Sequence, residues 1–247
     1  IYTLSDTLSL HDALPISHVQ DRVELAGGHG TEAAKALDAR NDLLLPLCKG
    51  YASEKVFELL GVSLQCFGGS GYCSDYPVEQ YLRDQKIDTL YEGTTHIQAL
   101  DLFFRKVGRD RGAALQALLG ELAADVASLP PELAAEGKAL AAASGDVGAI
   151  FMGMMGKLGQ SPYHVGLHGN RILFALAELI IGWRLLVGAR VALAATATAS
   201  DRDRPFYDGK VAAARFYVAE ILPGIATSRS IIERGTLGLM ELSDDAW

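Results

Sequence analysis

An all-α fold is predicted by three features of the sequence. No stretch alternates apolar and polar residues as a strand would, apolar residues recur at helical spacing through most of the chain, and Gly or Pro punctuates the periodic runs. At 247 residues and 49% apolar content, the chain has material for one large domain or two small ones around a buried core. Lys and Arg number 22 against 30 Asp and Glu, a net charge of −8 that argues against nucleic acid as the main partner. An anionic small molecule would need a local basic patch. Cys48, Cys66 and Cys73 have neither the number nor the spacing of a disulfide framework or zinc site, which points to a reducing compartment, the cytoplasm.

Residues 1–16 carry the near-repeat Thr3-Leu4-Ser5 and Thr7-Leu8-Ser9 without a helical or strand period, and they resemble the translation of a sequencing-library adaptor. Residues 1–17 are therefore set apart as an artefact, and the remainder is expected to be a C-terminal fragment. No basic start followed by an apolar run marks a secretory signal. Glycines at 27, 28 and 30 mark a loop, and helix formers take over from Thr31 with Glu32 in the first turn. Leu43 to Leu60 reads as a helix running on toward Leu64, with Leu44, Leu47, Tyr51, Val56, Leu59 and Leu60 in register and Pro46 in its first turn. Gln65 to Tyr72 then carries three glycines in four positions, either a plain helix stop or a turn that a ligand can approach closely.

Asp75 and Pro77 announce a helix through Val78, Tyr81 and Leu82, with Arg83 and Asp84 in local ion pairs. Thr94 to Val107 places Ile97, Leu100, Phe103, Phe104 and Val107 on one helix face. The basic cluster Arg105, Lys106, Arg109 and Arg111 at its end could attract the phosphates of a ligand, but complementing the helix dipole is the simpler role. Gly112 to Gly159 predicts two antiparallel helices, broken at Pro130-Pro131 and Ser144-Gly145, with Met152 to Gly156 at a close helix contact. His164 and His168 have helical metal-ligand spacing, yet no third ligand is near and Gly169 follows, so no metal site is expected. Ile172 to Ala199 is apolar, but Glu178, Arg184 and Arg190 interrupt it, so a buried helix is expected and not a transmembrane segment. Helices over Phe206–Leu222 and Ala226–Arg234 follow, then an acidic tail whose terminal Trp247 docks on a surface.

The stretch Leu90-Tyr91-Glu92-Gly93-Thr94-Thr95 sets a lone carboxylate between an apolar approach and the start of a helix. Leu90 and Tyr91 would partly desolvate Glu92, a setting that favours general-base work, and Gly93 lets another molecule approach the backbone. On these residues alone, the better reading is that Glu92 complements the positive end of the following helix, a common role for acids in a first turn.

Gln65 to Tyr72, Asp75-Tyr76-Pro77-Val78-Glu79, Arg83-Asp84 and Leu90 to Gln98 resemble, in residues and in order, the C-terminal helical domain of acyl-CoA dehydrogenases. The likeness covers roughly residues 40 to 108. Gly112 to Trp247 is similar to the extra helical region of longer bacterial members with broad acyl-chain range, so domains over 18–111 and 112–247 are implied. The resemblance implies oxidation of saturated fatty acyl-CoA to trans-2-enoyl-CoA, with FAD as cofactor and Glu92 removing the α-proton. It also implies FAD contacts from Gln65, Cys66, Phe67, Gly68 and Gly69, often to the cofactor of a neighbouring subunit and hence in a homo-oligomer, and from Thr94, Thr95 and His96. His96 departs from the amide-bearing or acidic residue more usual at its position. Tyr91 would either line the acyl pocket or pack in the core, Gly93 would give the acyl chain room, and an electron-transferring flavoprotein would accept the electrons. Because the family's other two domains are not in this sequence, the isolated chain is expected to bind FAD weakly or not at all and to be inactive. The alternative is a non-catalytic helical module for self-association or scaffolding.

Overall fold

The structure is a computed structural model that describes residues 25, 27, 28 and 30–246. The segment 1–17 and Trp247, with the expectations attached to them, lie outside the described residues. Among the described residues every regular element is helical. The chain forms two compact units that divide between Gln116 and Ala117.

The first unit is built on one long helix, α1 (Glu32–Cys66), capped by Thr31, whose hydroxyl accepts the Ala34 N–H at 3.1 Å. Against it pack a one-turn helix α2 (Gly69–Tyr72), helix α3 (Val78–Lys86) with a 3₁₀ turn over Ile87–Thr89, and helix α4 (Thr95–Leu100). The sequence predicts a helix starting near Leu43 with Pro46 in its first turn; the structure instead carries α1 straight through Pro46. The proline removes one helical hydrogen bond, to the Asp42 carbonyl. Burial compensates: Ala34, Leu43, Pro46, Leu47, Gly50 and Ser53 form a continuous inward face.

After Leu100 the winding widens into a π-helical segment, Asp101–Val107, in which the Gly108 N–H bonds the Phe103 carbonyl at 2.9 Å. That change corrects the expected apolar face. Ala99, Leu102, Phe103 and Val107 are buried, while Ile97, still in α4, and Phe104 are exposed; for Phe104 the reason is an i to i+5 repeat that rotates the later side chains away from a 3.6-residue stripe. Within the basic cluster, Arg105 pairs with Asp101 at 2.9 Å, Lys106 with Asp42 and Asp101, and Arg109 with Asp42 at 3.6 Å. Two carboxylates thus occupy three of its four cations.

The second unit takes the remainder of helix α5 (Ala113–Ala127), a 3₁₀ turn over Pro131–Leu133, and helices α6 (Ala134–Leu158), α7 (Tyr163–Thr196), α8 (Arg204–Glu220) and α9 (Pro223–Arg234). Helix α7 is its centre and packs on α6, α8 and α9. Pro131–Leu158 and α7 are both long and apolar enough to cross a membrane on length and composition alone. In α7, however, Ile172, Leu173, Leu176, Leu179, Trp183 and Leu186 form the core of the unit, as expected of a buried helix. Trp183 donates its indole N–H to Asp125 at 2.9 Å, and Arg190 pairs with the same carboxylate at 3.3 Å.

Three expectations fail here. Helix α6 runs unbroken through Ser144-Gly145, since a glycine inside a helix costs only about 1 kcal/mol and the burial of Leu140, Ala143, Val147 and Ile150 on either side offsets it. Met152 to Gly156 is not a close helix contact: only Met154 is buried, Met152 is 79% exposed, and a Cβ at Gly153 or Gly156 would meet nothing. Helix α7 also begins at Tyr163 instead of Ile172, which takes His164 and His168 into its buried face.

Candidate functional site

The glycine-rich turn follows directly from the end of α1. Gly68 adopts φ 60°, ψ −145°, a conformation open essentially to glycine alone. At Gly71 a Cβ would lie 2.5 Å from the Leu64 carbonyl oxygen and 2.8 Å from the Phe67 Cβ, so the chain folds too tightly on itself for any side chain. Gly69 differs, for a Cβ there would meet nothing within 4 Å. Gln65, Cys66, Phe67, Gly68 and Gly69 are all exposed, with the Phe67 ring 5.0 Å from that of Tyr76. Two of the three glycines are explained by the fold, and Gly69 is left as bare, open backbone.

The second segment is positioned from below by α1. The Lys49 ammonium donates to the Asp88 carbonyl and lies 4.9 Å from the centre of the Tyr91 ring. Leu90 and Tyr91 both donate their N–H groups to the Ile87 carbonyl, at 2.9 and 3.1 Å. The backbone then turns left-handed at two successive residues, Glu92 with φ 55° and Gly93 with φ 93°. For a residue with a Cβ this conformation costs about 1–2 kcal/mol. Thr94 caps α4, its hydroxyl accepting the Ile97 N–H at 3.5 Å, and buried Thr95 donates its hydroxyl to Glu54 of α1 at 2.5 Å. Gln98 reaches back and donates its side-chain amide to the Glu92 carbonyl at 3.0 Å. His96 is half-buried beside them.

The expected desolvation of Glu92 by its neighbours is not found. Glu92 is exposed, because Leu90 is itself 52% exposed and Tyr91 38%, the latter set against Lys49 instead of the carboxylate. The two segments attach to α1 at different heights. Thr95 is anchored at Glu54, and the Gln65 turn begins eleven residues further along α1, roughly 16 Å of helical rise away. The three side chains that tie the Glu92 loop down, Lys49, Glu54 and Gln98, do not stand out in the sequence for that role. Lys49 and Glu54 sit on α1 with no local signal. Gln98 lies at the right helical position to reach back over the first turn of α4, since helical side chains lean toward the N-terminus.

Residues 15–105 match the model of the acyl-CoA dehydrogenase C-terminal domain, and residues 117–243 that of the acetyl-CoA dehydrogenase C-terminal-like domain. The chain belongs to the acyl-CoA dehydrogenase family. It is 44% identical over 228 residues to the broad-specificity linear acyl-CoA dehydrogenase of Mycobacterium tuberculosis, an alignment covering 89% of this chain and 37% of that protein. It is 32% identical over 203 residues to a butyryl-CoA dehydrogenase of Syntrophomonas wolfei, covering 81% of this chain and 32% of the relative. A 3-methylmercaptopropionyl-CoA dehydrogenase of Ruegeria pomeroyi is also 32% identical, over 208 residues, covering 83% and 35%. The chain thus spans 32 to 37% of the length of these relatives. One matched region falls in each unit of this family member, and the Glu92 loop lies in the first.

Proposed function

We propose that this chain supplies the base of an FAD-dependent acyl-CoA dehydrogenase, Glu92, which oxidises saturated fatty acyl-CoA to the trans-2-enoyl-CoA. The observation that carries the reading is the left-handed backbone of Glu92: a strained non-glycine residue, tied down from both sides, is where folds store conformational cost for function. In this reading the ionised Glu92 carboxylate takes the α-proton of the thioester. Among the described residues the Glu92 N–H has no hydrogen-bond partner, so it is available to the thioester oxygen as negative charge develops there. Gly93 leaves room for the acyl chain, and Tyr91 flanks it.

The Gln65–Gly69 turn suits a large planar cofactor, since it offers an exposed amide, an exposed aromatic ring and open backbone at Gly69. When bound, FAD supplies acceptance of the hydride from the β-carbon. Thr94, Thr95 and His96 are the remaining proposed contacts. The Thr95 hydroxyl proton is already given to Glu54, which leaves that oxygen as an acceptor only. The separation along α1 supports a homo-oligomer in which one copy's Gln65 turn serves another's cofactor. An electron-transferring flavoprotein is the proposed acceptor. The free cysteines, Cys66 and Cys73 both exposed, suit a cytoplasmic setting.

The test uses the full-length enzyme that carries this chain. Glu92→Gln should lower the anaerobic rate of flavin reduction by acyl-CoA by about 10²–10⁴-fold with FAD content unchanged. An undiminished rate sinks the assignment.

A further inference from the structure

We propose that Gln98 is the positioning residue of the Glu92 base. Its side-chain amide, bonded to the Glu92 carbonyl, holds Glu92 in the left-handed conformation from which the carboxylate is presented. The inference rests on the reading of Glu92 as base and adds to it the residue that aims it.

The loop is fixed on both sides of one peptide. Before it, the Tyr91 N–H is bonded to the Ile87 carbonyl; after it, Thr94 is fixed as the cap of α4. Between them lies the Glu92–Gly93 peptide, and glycine at 93 lets that peptide swing at little cost. A left-handed glutamate gains nothing from its own side chain, which is exposed, so its conformation must be imposed from outside. Among the described residues, the contact made to this peptide is the Gln98 amide, 3.0 Å from its oxygen. Only the nitrogen end of that amide can donate to a carbonyl, so its orientation is determined.

Gly93 acquires a second purpose. A Cβ there would stand 3.2 Å from the Ile97 Cγ2 and 3.4 Å from the Gln98 Nε2, crowding the path by which the amide reaches over. The fit requires a side chain of this length with a donor at its end. Asn is one methylene short, and Met has the length without the donor. Without the bond the peptide is free to turn over about ψ of Glu92; with ψ reversed a residue bearing a Cβ is sterically barred from φ 55°, so φ moves as well, the Cα–Cβ direction moves with it, and the carboxylate leaves its line to the α-proton. Binding of acyl-CoA, which does not depend on that alignment, is left alone.

The test is Gln98→Met in the full-length enzyme, set beside Glu92→Gln and the double variant. Gln98→Met should slow flavin reduction by about 10- to 100-fold at saturating acyl-CoA, with KM, FAD content and thermal midpoint retained. In the Glu92→Gln background it should slow the reaction no further, because there is no base left to aim. A crystal structure of the Gln98→Met enzyme should show residue 92 out of the left-handed region, a readout independent of activity. Should the methionine variant fail to fold, Gln98→Ala, helix-compatible and equally without a donor, carries the same comparison. If Glu92→Gln cripples reduction while the Gln98 variants reduce flavin at the parent rate, or lose it only by losing FAD, or leave residue 92 left-handed, the positioning role is overturned and the base stands. If Glu92→Gln itself leaves reduction intact, it is the base assignment that falls.

Discussion

Replacing Glu92 by glycine should leave the first unit more stable than replacing it by alanine, the reverse of the usual order of these residues. At φ 55° any residue with a Cβ carries the left-handed penalty of about 1–2 kcal/mol, which glycine does not. Against this, glycine loses more backbone entropy on folding, about 0.5–1 kcal/mol. The difference lies between about 0 and 1.5 kcal/mol, centred near 0.75, in favour of Glu92→Gly. Side-chain packing does not enter, because Glu92 is exposed, and the Gln98 bond survives in both variants because it is made to the backbone. Trp183 and Trp247 are the only tryptophans, so indole fluorescence reads the second unit. Urea unfolding should therefore be followed by amide hydrogen exchange at α1 and α4, with Glu92→Asn falling between the other two because Asn tolerates the left-handed region. Alanine equal to or more stable than glycine would mean that residue 92 carries no strain, and the argument from strain to function would lose its footing.

Two further expectations concern the glycine turn and the buried histidines. Gly71→Ala should cost about 1–3 kcal/mol, since its Cβ would strike the Leu64 carbonyl, whereas Gly69→Ala should stay within about 0.5 kcal/mol and, in the full-length enzyme, weaken FAD retention. Matched thermal midpoints for the two would refute this division of labour. His168 is 5% exposed, and its pKa lies below the usual 6.5 because burial, then the charges of Lys157 and Arg171 and neighbouring His164, disfavour the proton. The unfolded chain therefore binds more protons below pH 6.5, so the stability of the second unit is full above that pH. As pH falls toward the folded pKa, stability is lost at up to about 1.4 kcal/mol per pH unit. Fluorescence-detected urea midpoints at pH 7.5 and 5.5 should differ in the parent chain and converge in His168→Leu; an equal drop in both would assign the effect elsewhere.

Most of the helices were legible because they obey local rules. Thr31 caps α1 and Pro77 precedes α3, each a signal of residue type at a fixed offset, whereas Pro223, which reads as the stop of α8, is itself the first residue of α9. Where the sequence misled, tertiary packing outweighed a local preference. Pro46 reads as a first-turn residue, yet the inward face it shares with Leu43 and Leu47 keeps α1 continuous. Ser144-Gly145 reads as a break, yet Leu140, Ala143, Val147 and Ile150 bury a stripe that spans it. The π-helical segment after Leu100 was beyond reach, because a change from 3.6 residues per turn leaves the residue types untouched and shows only in which of them are buried.

The site divides along the same line. Its residue types were readable, from the glycines at 68, 69 and 71 to Glu92 and Gly93. Its decisive property was not, because glutamate is a poor choice for a left-handed position and local preference would place Asn or Gly there. A sequence specifies a fold most surely where every level agrees, and the exceptions gather where function requires them. At Glu92 three levels conflict: the backbone is strained, the carboxylate is exposed beside exposed Leu90, Tyr91 and Ile97, and a polar side chain six residues on is spent holding the main chain in place. Stability alone would remove all three by placing glycine at 92 and freeing Gln98. Their retention is accounted for if the direction of one carboxylate matters more than the free energy of the loop that carries it.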